Sequence, residues 1–273
     1  VPEAPELEVT KDFLNFRVSG LTVQAASILR PGVLRPVVAD FEEDVVGRVL
    51  EGTKRRGKFL LVDLSGERVL AINPMLAGAL QYCKPSARVY KRTFVRLTLS
   101  NGFDLRYLDD KQMGRLYYTT NERLTEIPGF DEMGPDVLAE TSFEQFRELL
   151  RPFHGEIKGV LTRCRVVSGI GNAYADEILF DARIYPFRKR KSLSEDELRR
   201  LHQSTRTVIE DAIGVVRERM GEDIHVKIRD FLKVHNKGGS PCHRCGANIT
   251  QITANRRITS YCRTCQPGML IGS

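Results

Sequence analysis

A chain of 273 residues, 41% hydrophobic and 28% charged, has the balance of a soluble globular protein and enough length for two domains, each with its own core. No apolar run approaches the roughly 18 residues needed to cross a bilayer, and no signal-peptide pattern opens the sequence. Membrane-spanning and secreted classes are therefore set aside, a cytoplasmic protein is expected, and the net charge of +7 suits a polyanionic partner.

The chain opens Val1-Pro2-Glu3-Ala4-Pro5-Glu6-Leu7-Glu8. If Val1 is an initiator residue (a GTG codon), its removal leaves Pro2 as a free secondary amine with Glu3 beside it. An α-amine has a pKa of roughly 7.7–8.0, against about 10.4 for lysine, so more of it is neutral and nucleophilic near pH 7. Such an amine attacks an aldehyde carbon to give a Schiff base, and a neighbouring carboxyl can shuttle the protons. The alternative is a tail in which Pro and Glu merely start a helix, predicted over 6–18 with Leu7, Phe13, Leu14 and Val18 on one face.

From 21 to 118 the texture turns to short β-rich runs. The runs 59–64 and 69–72 flank Ser65-Gly66-Glu67, and 95–99 and 103–108 flank Ser100-Asn101-Gly102; both are hairpin signals. Lys58 precedes the first of these strands, either as a flanking charge or as a functional group. Asp109-Asp110-Lys111-Gln112-Met113-Gly114 reads as a polar loop with Met113 as a possible apolar wedge into a duplex. One helix plus a two-layer β-sandwich accounts for residues 1–120, and Pro128-Gly129 and Gly134-Pro135 mark 121–135 as a linker.

Helical patterns follow over 136–235, giving an α+β chain overall. Ser142 with Gln145, and Ser194 with Glu197, are capping boxes; the second opens a long helix to about Met220. A helix over 157–167 is interrupted by Ser168-Gly169-Ile170-Gly171 and resumes at Asn172, the expected N-cap, through Ala182. This glycine turn can approach a phosphate, with Lys158 as a further contact or an ordinary solvated lysine. The run Phe187-Arg188-Lys189-Arg190-Lys191 reads as a solvated connector.

The strongest motif lies in 236–273. Cys242-x2-Cys245-x16-Cys262-x2-Cys265 places four thiolates on two tight turns, which suits one tetrahedral structural zinc ion with no open position. Disulfides or free thiols are the competing state, and Cys83 and Cys164 stand apart. Asn248, Gln251, Asn255, Arg256, Arg257 and Thr259 lie between the pairs, so a zinc-held hairpin tipped with arginines would suit a phosphate backbone.

Together these stretches resemble the formamidopyrimidine-DNA glycosylase / endonuclease VIII family, in its bacterial zinc-finger form, over nearly the whole length. Pro2-Glu3-x-Pro5-Glu6-x-Glu8 is similar to its amino-terminal motif and Lys58-Phe59-Leu60-Leu61 to its catalytic-lysine strand. Ile157-Lys158 through Gly169-Ile170-Gly171-Asn172-x-Tyr174-x-x-Glu177 resembles its helix-two-turn-helix, and Arg257-x-Thr259-x-Tyr261-Cys262-x-x-Cys265-Gln266 its zinc finger.

The resemblance implies a bifunctional glycosylase/AP lyase of base excision repair, acting as a monomer on damaged double-stranded DNA in the bacterial nucleoid. By resemblance Pro2 is the Schiff-base nucleophile at C1′ of a flipped nucleotide, Glu3 the general acid/base, and Lys58 an aid to base loss and strand cleavage. Arg257 supports the second elimination, and Lys158, Asn172 and Arg256 hold the backbone. A recognition loop is implied near residues 216–225.

The chain also departs from the family pattern. Where the family's formamidopyrimidine branch has a His-Leu-Gly-Met loop, this chain has Ile72-Asn73-Pro74-Met75-Leu76-Ala77-Gly78, so the probing methionine is replaced by Leu76 or displaced to Met75. In the Asp-Pro-Arg-Arg-Phe-Gly loop, Lys111 and Gln112 replace the arginine pair and Met113 the phenylalanine wedge; Lys and Gln do not reproduce an arginine fork. Arg92 stands where a phosphate-touching histidine is usual. Two other readings compete: a DNA-binding lesion sensor of the same fold without lyase activity, and a zinc-ribbon RNA-binding module that leaves Pro2, Glu3 and Lys58 idle.

Overall fold

Helix α1 (Ala4–Arg17) starts two residues earlier than its apolar spacing predicts, because proline in a first turn forfeits no intrahelical hydrogen bond. Glu3 is its N-cap, in a reciprocal capping box with Glu6: the Glu3 backbone N–H donates to Glu6 Oε2 at 2.9 Å. In this computed structural model, which describes residues 1–254 and 257–268, the chain forms two units. The first is Val1–Asp131 with Ile213–Ile228, and the second Glu132–Ala212 with Arg229–Ser273.

In the first unit, β1 (Val23–Ile28), β2 (Leu34–Pro36), the short helix α2 (Phe41–Val45), β3 (Leu50–Arg56), β4 (Phe59–Leu64), β5 (Arg68–Asn73), β6 (Gly78–Cys83), β7 (Thr93–Leu99), β8 (Asp104–Asp109) and β9 (Arg115–Thr119) follow α1. They form a four-stranded sheet in the order β1-β7-β8-β6 and a five-stranded sheet in the order β2-β9-β5-β4-β3. All pairings are antiparallel except β2 with β9. Val62, Leu64 and Leu70 of one sheet and Val95, Leu97 and Leu105 of the other are buried, forming the expected sandwich core.

Both expected hairpins form, with Gly66 and Gly102 at positive φ in their turns. Helix α1 covers the edge strand β3. Asn15 completes its ladder by donating to the Thr53 carbonyl at 2.9 Å and accepting from the Thr53 N–H at 2.7 Å.

Two connections cross from one sheet to the other at the same end. The β5–β6 loop, residues 74–77, leaves after Asn73, which pairs with Arg115; the β8–β9 loop, residues 110–114, leaves after Asp109, which pairs with Gly78. Since β5 neighbours β9 and β6 neighbours β8, the two loops lie side by side.

The second unit holds α3 (Phe143–Leu150), α4 (Ile157–Leu161), α5 (Asn172–Asp181), most of α6 (Glu195–Met220), and the hairpin β10 (Thr250–Ala254) with β11 (Arg257–Tyr261). Both capping boxes are formed, with Gln145 N–H donating to Ser142 Oγ and Glu197 N–H to Ser194 Oγ, each at 3.2 Å.

Four expectations need correction. Helix α4 stops at Leu161 rather than near 167, because the backbone beyond it is engaged elsewhere: Gly134 N–H donates to the Cys164 carbonyl and Ser168 N–H to that of Pro135. The N-cap of α5 is Gly171, which leaves Asn172 as the first helical residue with its side chain free for another task. Helix does not persist to about 235: α6 ends at Met220 before Gly221 at φ 53°, and turns follow. The basic run 187–191 is tied down, with Arg188 paired to Glu197 and Arg190 N–H donating to the Gly155 carbonyl. Among the described residues, no helix is long and apolar enough to cross a membrane.

Candidate active site and nucleic-acid interface

In the first unit, Pro2 and Glu3 immediately precede α1 as buried residues, Glu3 only 1% exposed. A helix amino terminus carries unpaired N–H groups and a partial positive charge, so it holds the buried carboxylates of Glu3 and Glu6 favourably. Glu6, which sequence reasoning used only as a motif letter, keeps Glu3 in place through the capping box. Pro2, Glu6, Leu7 and Thr10 line a small pocket together with Met220 and His225. Burial holds the His225 imidazole below its ordinary pKa, with Asp223 opposing and Arg92 reinforcing the shift, so it is neutral at physiological pH. Of the expected recognition segment 216–225, the first five residues are helical and the rest is turn.

Lys58 lies in the tight turn between β3 and β4, directly before the strand and after Gly57 at φ 57°. Arg55 ties this turn to α1: its Nε donates to Glu8 Oε2 at 2.6 Å and its Nη1 to the Gly57 carbonyl at 2.9 Å. The hairpin bearing Lys58 is thus anchored to the helix that Pro2 and Glu3 lead into.

The side-by-side loops present Met75, Leu76 and Met113 as exposed apolar tips, 37%, 45% and 40% exposed. Lys111 and Gln112 share the second loop, which Asp109 folds by accepting from Lys111 N–H at 2.9 Å and Gly114 N–H at 2.7 Å. Arg92 is near this loop, paired with Asp110 at 2.7 Å.

In the second unit, Lys158 and Asn172 converge on one acceptor. Lys158 Nζ donates to the Ile258 carbonyl at 2.6 Å and Asn172 Nδ2 donates to it at 2.8 Å, so helix-turn-helix and hairpin are joined by the residues expected to grip phosphate. Lys158 is 7% exposed rather than solvated, and pairs with Asp176 at 2.7 Å. Asp176, which sequence reasoning missed, is fully buried and also accepts from the Ser260 N–H and meets His235 Nδ1 at 2.8 Å. No spacing rule marks it, since an acid in the middle of a buried helix face reads as an error until its partners are known. Arg257 is exposed at the start of β11, whereas Arg256 lies outside the described residues.

The ligand atoms of Cys242, Cys245, Cys262 and Cys265 all lie within 4.8 Å of one another. Cys245 and Cys262 sulfurs are 3.5 Å apart and those of Cys242 and Cys265 3.9 Å, far beyond a disulfide bond. A tetrahedral ion with bonds of about 2.3 Å to sulfur requires sulfurs about 3.8 Å apart, so the four thiols fit a metal ion. Phe180, Val234 and Ile249 pack beneath Cys242 and Cys262 and tie the cluster to α5.

The chain matches the family model for the formamidopyrimidine-DNA glycosylase N-terminal domain over residues 1–116 and that for the formamidopyrimidine-DNA glycosylase H2TH domain over residues 133–222. It is 34% identical over 273 residues to the formamidopyrimidine-DNA glycosylase of Pelotomaculum thermopropionicum, covering 97% of this chain and 99% of that protein. With the Desulforamulus reducens protein of the same name the identity is 35% over 275 residues, covering 97% and 99%. Among solved structures it is similar to the Lactococcus lactis Fpg in complex with DNA containing an abasic site, with TM-score 0.89, 26% identity, and 97% of this chain and 100% of that one covered. The same Lactococcus protein with N7-benzyl-Fapy-dG DNA matches at TM-score 0.89 and 26% identity, covering 98% and 100%. The buried Pro-Glu helix start, the paired loops, the helix-turn-helix and the four-cysteine hairpin are therefore those of a member of the formamidopyrimidine-DNA glycosylase family, to which this chain belongs.

Proposed function

We infer that this protein is a DNA N-glycosylase with AP lyase activity that removes oxidised or ring-opened bases, and that Pro2 carries the chemistry. The observation behind this reading is the placement of Pro2 on a pocket wall directly before a buried, capped Glu3, in a chain of this family.

In this reading the Pro2 nitrogen forms a bond to C1′ of an everted nucleotide, the glycosidic bond breaks, and the base leaves with the electron pair and a proton. Glu3 protonates the sugar ring oxygen as the ring opens, and the resulting iminium acidifies the C2′ proton. Loss of that proton expels the 3′ phosphate, and a second elimination expels the 5′ phosphate. Lys58 assists base departure and strand cleavage, and Arg257 steadies the phosphate of the second elimination. The first unit holds the reacting nucleotide, with Met75, Leu76, Lys111, Gln112 and Met113 probing the duplex and Arg92 meeting its backbone. The second unit grips the backbone through Lys158, Asn172 and the hairpin, whose cysteines hold one structural zinc ion. The protein acts as a monomer.

Pro2 is nucleophilic only as a free secondary amine, since an acylated proline has no available lone pair. Borohydride added to the protein with abasic-site DNA is expected to trap a covalent adduct whose protein sequence begins at Pro2. Substituting Pro2 abolishes trapping; unchanged trapping reassigns the nucleophile, and none at all with the unsubstituted protein favours a lesion sensor.

A further inference from the structure

The two probing loops share a contact that neither the motif nor the family comparison assigns. Gly78 closes the first loop and Gly114 the second, and neither has a positive φ, so what these positions require is the missing side chain rather than backbone freedom. A methyl group on Gly78 would lie 2.1 Å from the hydroxyl oxygen of Tyr107, and one on Gly114 would lie 1.7 Å from the same atom. Tyr107, on β8, is 2% exposed, and its hydroxyl has no hydrogen-bond partner among the described residues. A buried hydroxyl without a partner is a cost that phenylalanine would avoid.

We propose that Tyr107 is a positioning residue whose hydroxyl is the common stop for both loops, so that their apolar tips engage a duplex as one element. Each loop is internally closed: Gly78 N–H donates to the Pro74 carbonyl at 2.8 Å in the first, and Asp109 clamps Lys111 and Gly114 in the second. Met75 at φ 47° and Gln112 at φ 55° set tight bends at the tips. Two stiff loops resting on one buried atom cannot change their separation without moving it, and a close-packed interior resists that movement. The inference rests on the glycosylase reading, because it concerns insertion into DNA.

Tyr107→Phe tests it, using 2-aminopurine opposite the lesion to report insertion and single-turnover excision to report catalysis. The expected result is an insertion signal reduced together with about tenfold slower excision from duplex DNA, while borohydride trapping on an abasic site in single-stranded DNA stays at the level of the unsubstituted protein. Gly114→Ala is expected to lose the same signal, and the double variant to lose less than the sum, because both act at one contact. Unchanged insertion and excision overturn the proposal, as does an equal loss on duplex and single-stranded substrates, which assigns Tyr107 to fold integrity alone. Failure of the unsubstituted protein to trap abasic DNA instead overturns the glycosylase reading.

Discussion

Glu3 carries two duties that a single substitution can separate. As N-cap it shares a capping box with Glu6 at the start of α1, and as the carboxyl beside Pro2 it is the proton shuttle of the proposed reaction. Gln keeps an acceptor oxygen for the helix but cannot exchange a proton. Glu3→Gln is therefore expected to slow single-turnover base excision by about 10²–10⁴-fold while stability falls by less than about 1 kcal/mol. Excision within threefold of the unsubstituted protein would remove Glu3 from the chemistry. Lys58 shows the same dependence on a neighbour: the tie from Glu8 through Arg55 to Gly57 anchors its turn, and Arg55 belongs to none of the motifs.

At the scale of elements, α2 is pinned to the five-stranded sheet by one carboxylate. Asp44 accepts from Arg48 at 2.6 Å, Arg68 at 2.9 Å and Tyr118 at 2.5 Å, while Phe41 packs edge-on against the Tyr118 ring at 5.2 Å. Burial alone would raise the Asp44 pKa, but the hydrogen bonds from Arg48, Tyr118 and Arg68 outweigh it and hold the carboxyl well below its ordinary range. Burial together with Asp44 pushes the Tyr118 hydroxyl up to about 12. A carboxyl depressed in the folded state adds stability above its unfolded pKa of about 3.9, and loses that contribution as pH falls through the lower folded value. The melting-temperature gap between the unsubstituted protein and Asp44→Asn is expected to be level above about pH 5 and to narrow as the pH falls below about 4. A gap constant from neutral to strongly acid pH would show that the network is not ionic.

At the scale of the molecule, the four cysteines gather at one point of the second unit. The sulfurs are spaced for one ion, and the hydrophobic residues beneath them belong to α5 and the segments around the finger. Removing the metal, by chelation or by Cys262→Ser, is expected to cost the second unit several kcal/mol and to weaken DNA binding, because β11 carries Arg257. Calorimetry of the treated protein is expected to show an early transition, with affinity for abasic DNA reduced in parallel; binding unchanged after verified metal loss would dissociate the finger from recognition.

How much of this was legible depends on how far the responsible force reaches along the chain. Hairpin turns, capping boxes and Cys-x-x-Cys knuckles act over two to four residues, so Ser65-Gly66-Glu67, Ser194 with Glu197, and the four-cysteine cluster could be read directly from the order of residues. Helix ends fared less well. Periodicity carried α4 past Leu161, because nothing local announces that Gly134 and Pro135, far earlier in the chain, claim the backbone of Cys164 and Ser168.

The amino-acid order by itself determined the sandwich, the helical second unit, the cysteine knuckles and family membership, since each rests on local pattern or motif. Only tertiary structure decided that Asp176 sits beneath the hairpin, that Lys158 and Asn172 share a carbonyl, and that Gly78 and Gly114 meet at Tyr107. Those contacts join residues from 7 to 100 positions apart. Their worth comes from burial and close approach, which exist only once the sheets and helices have assembled.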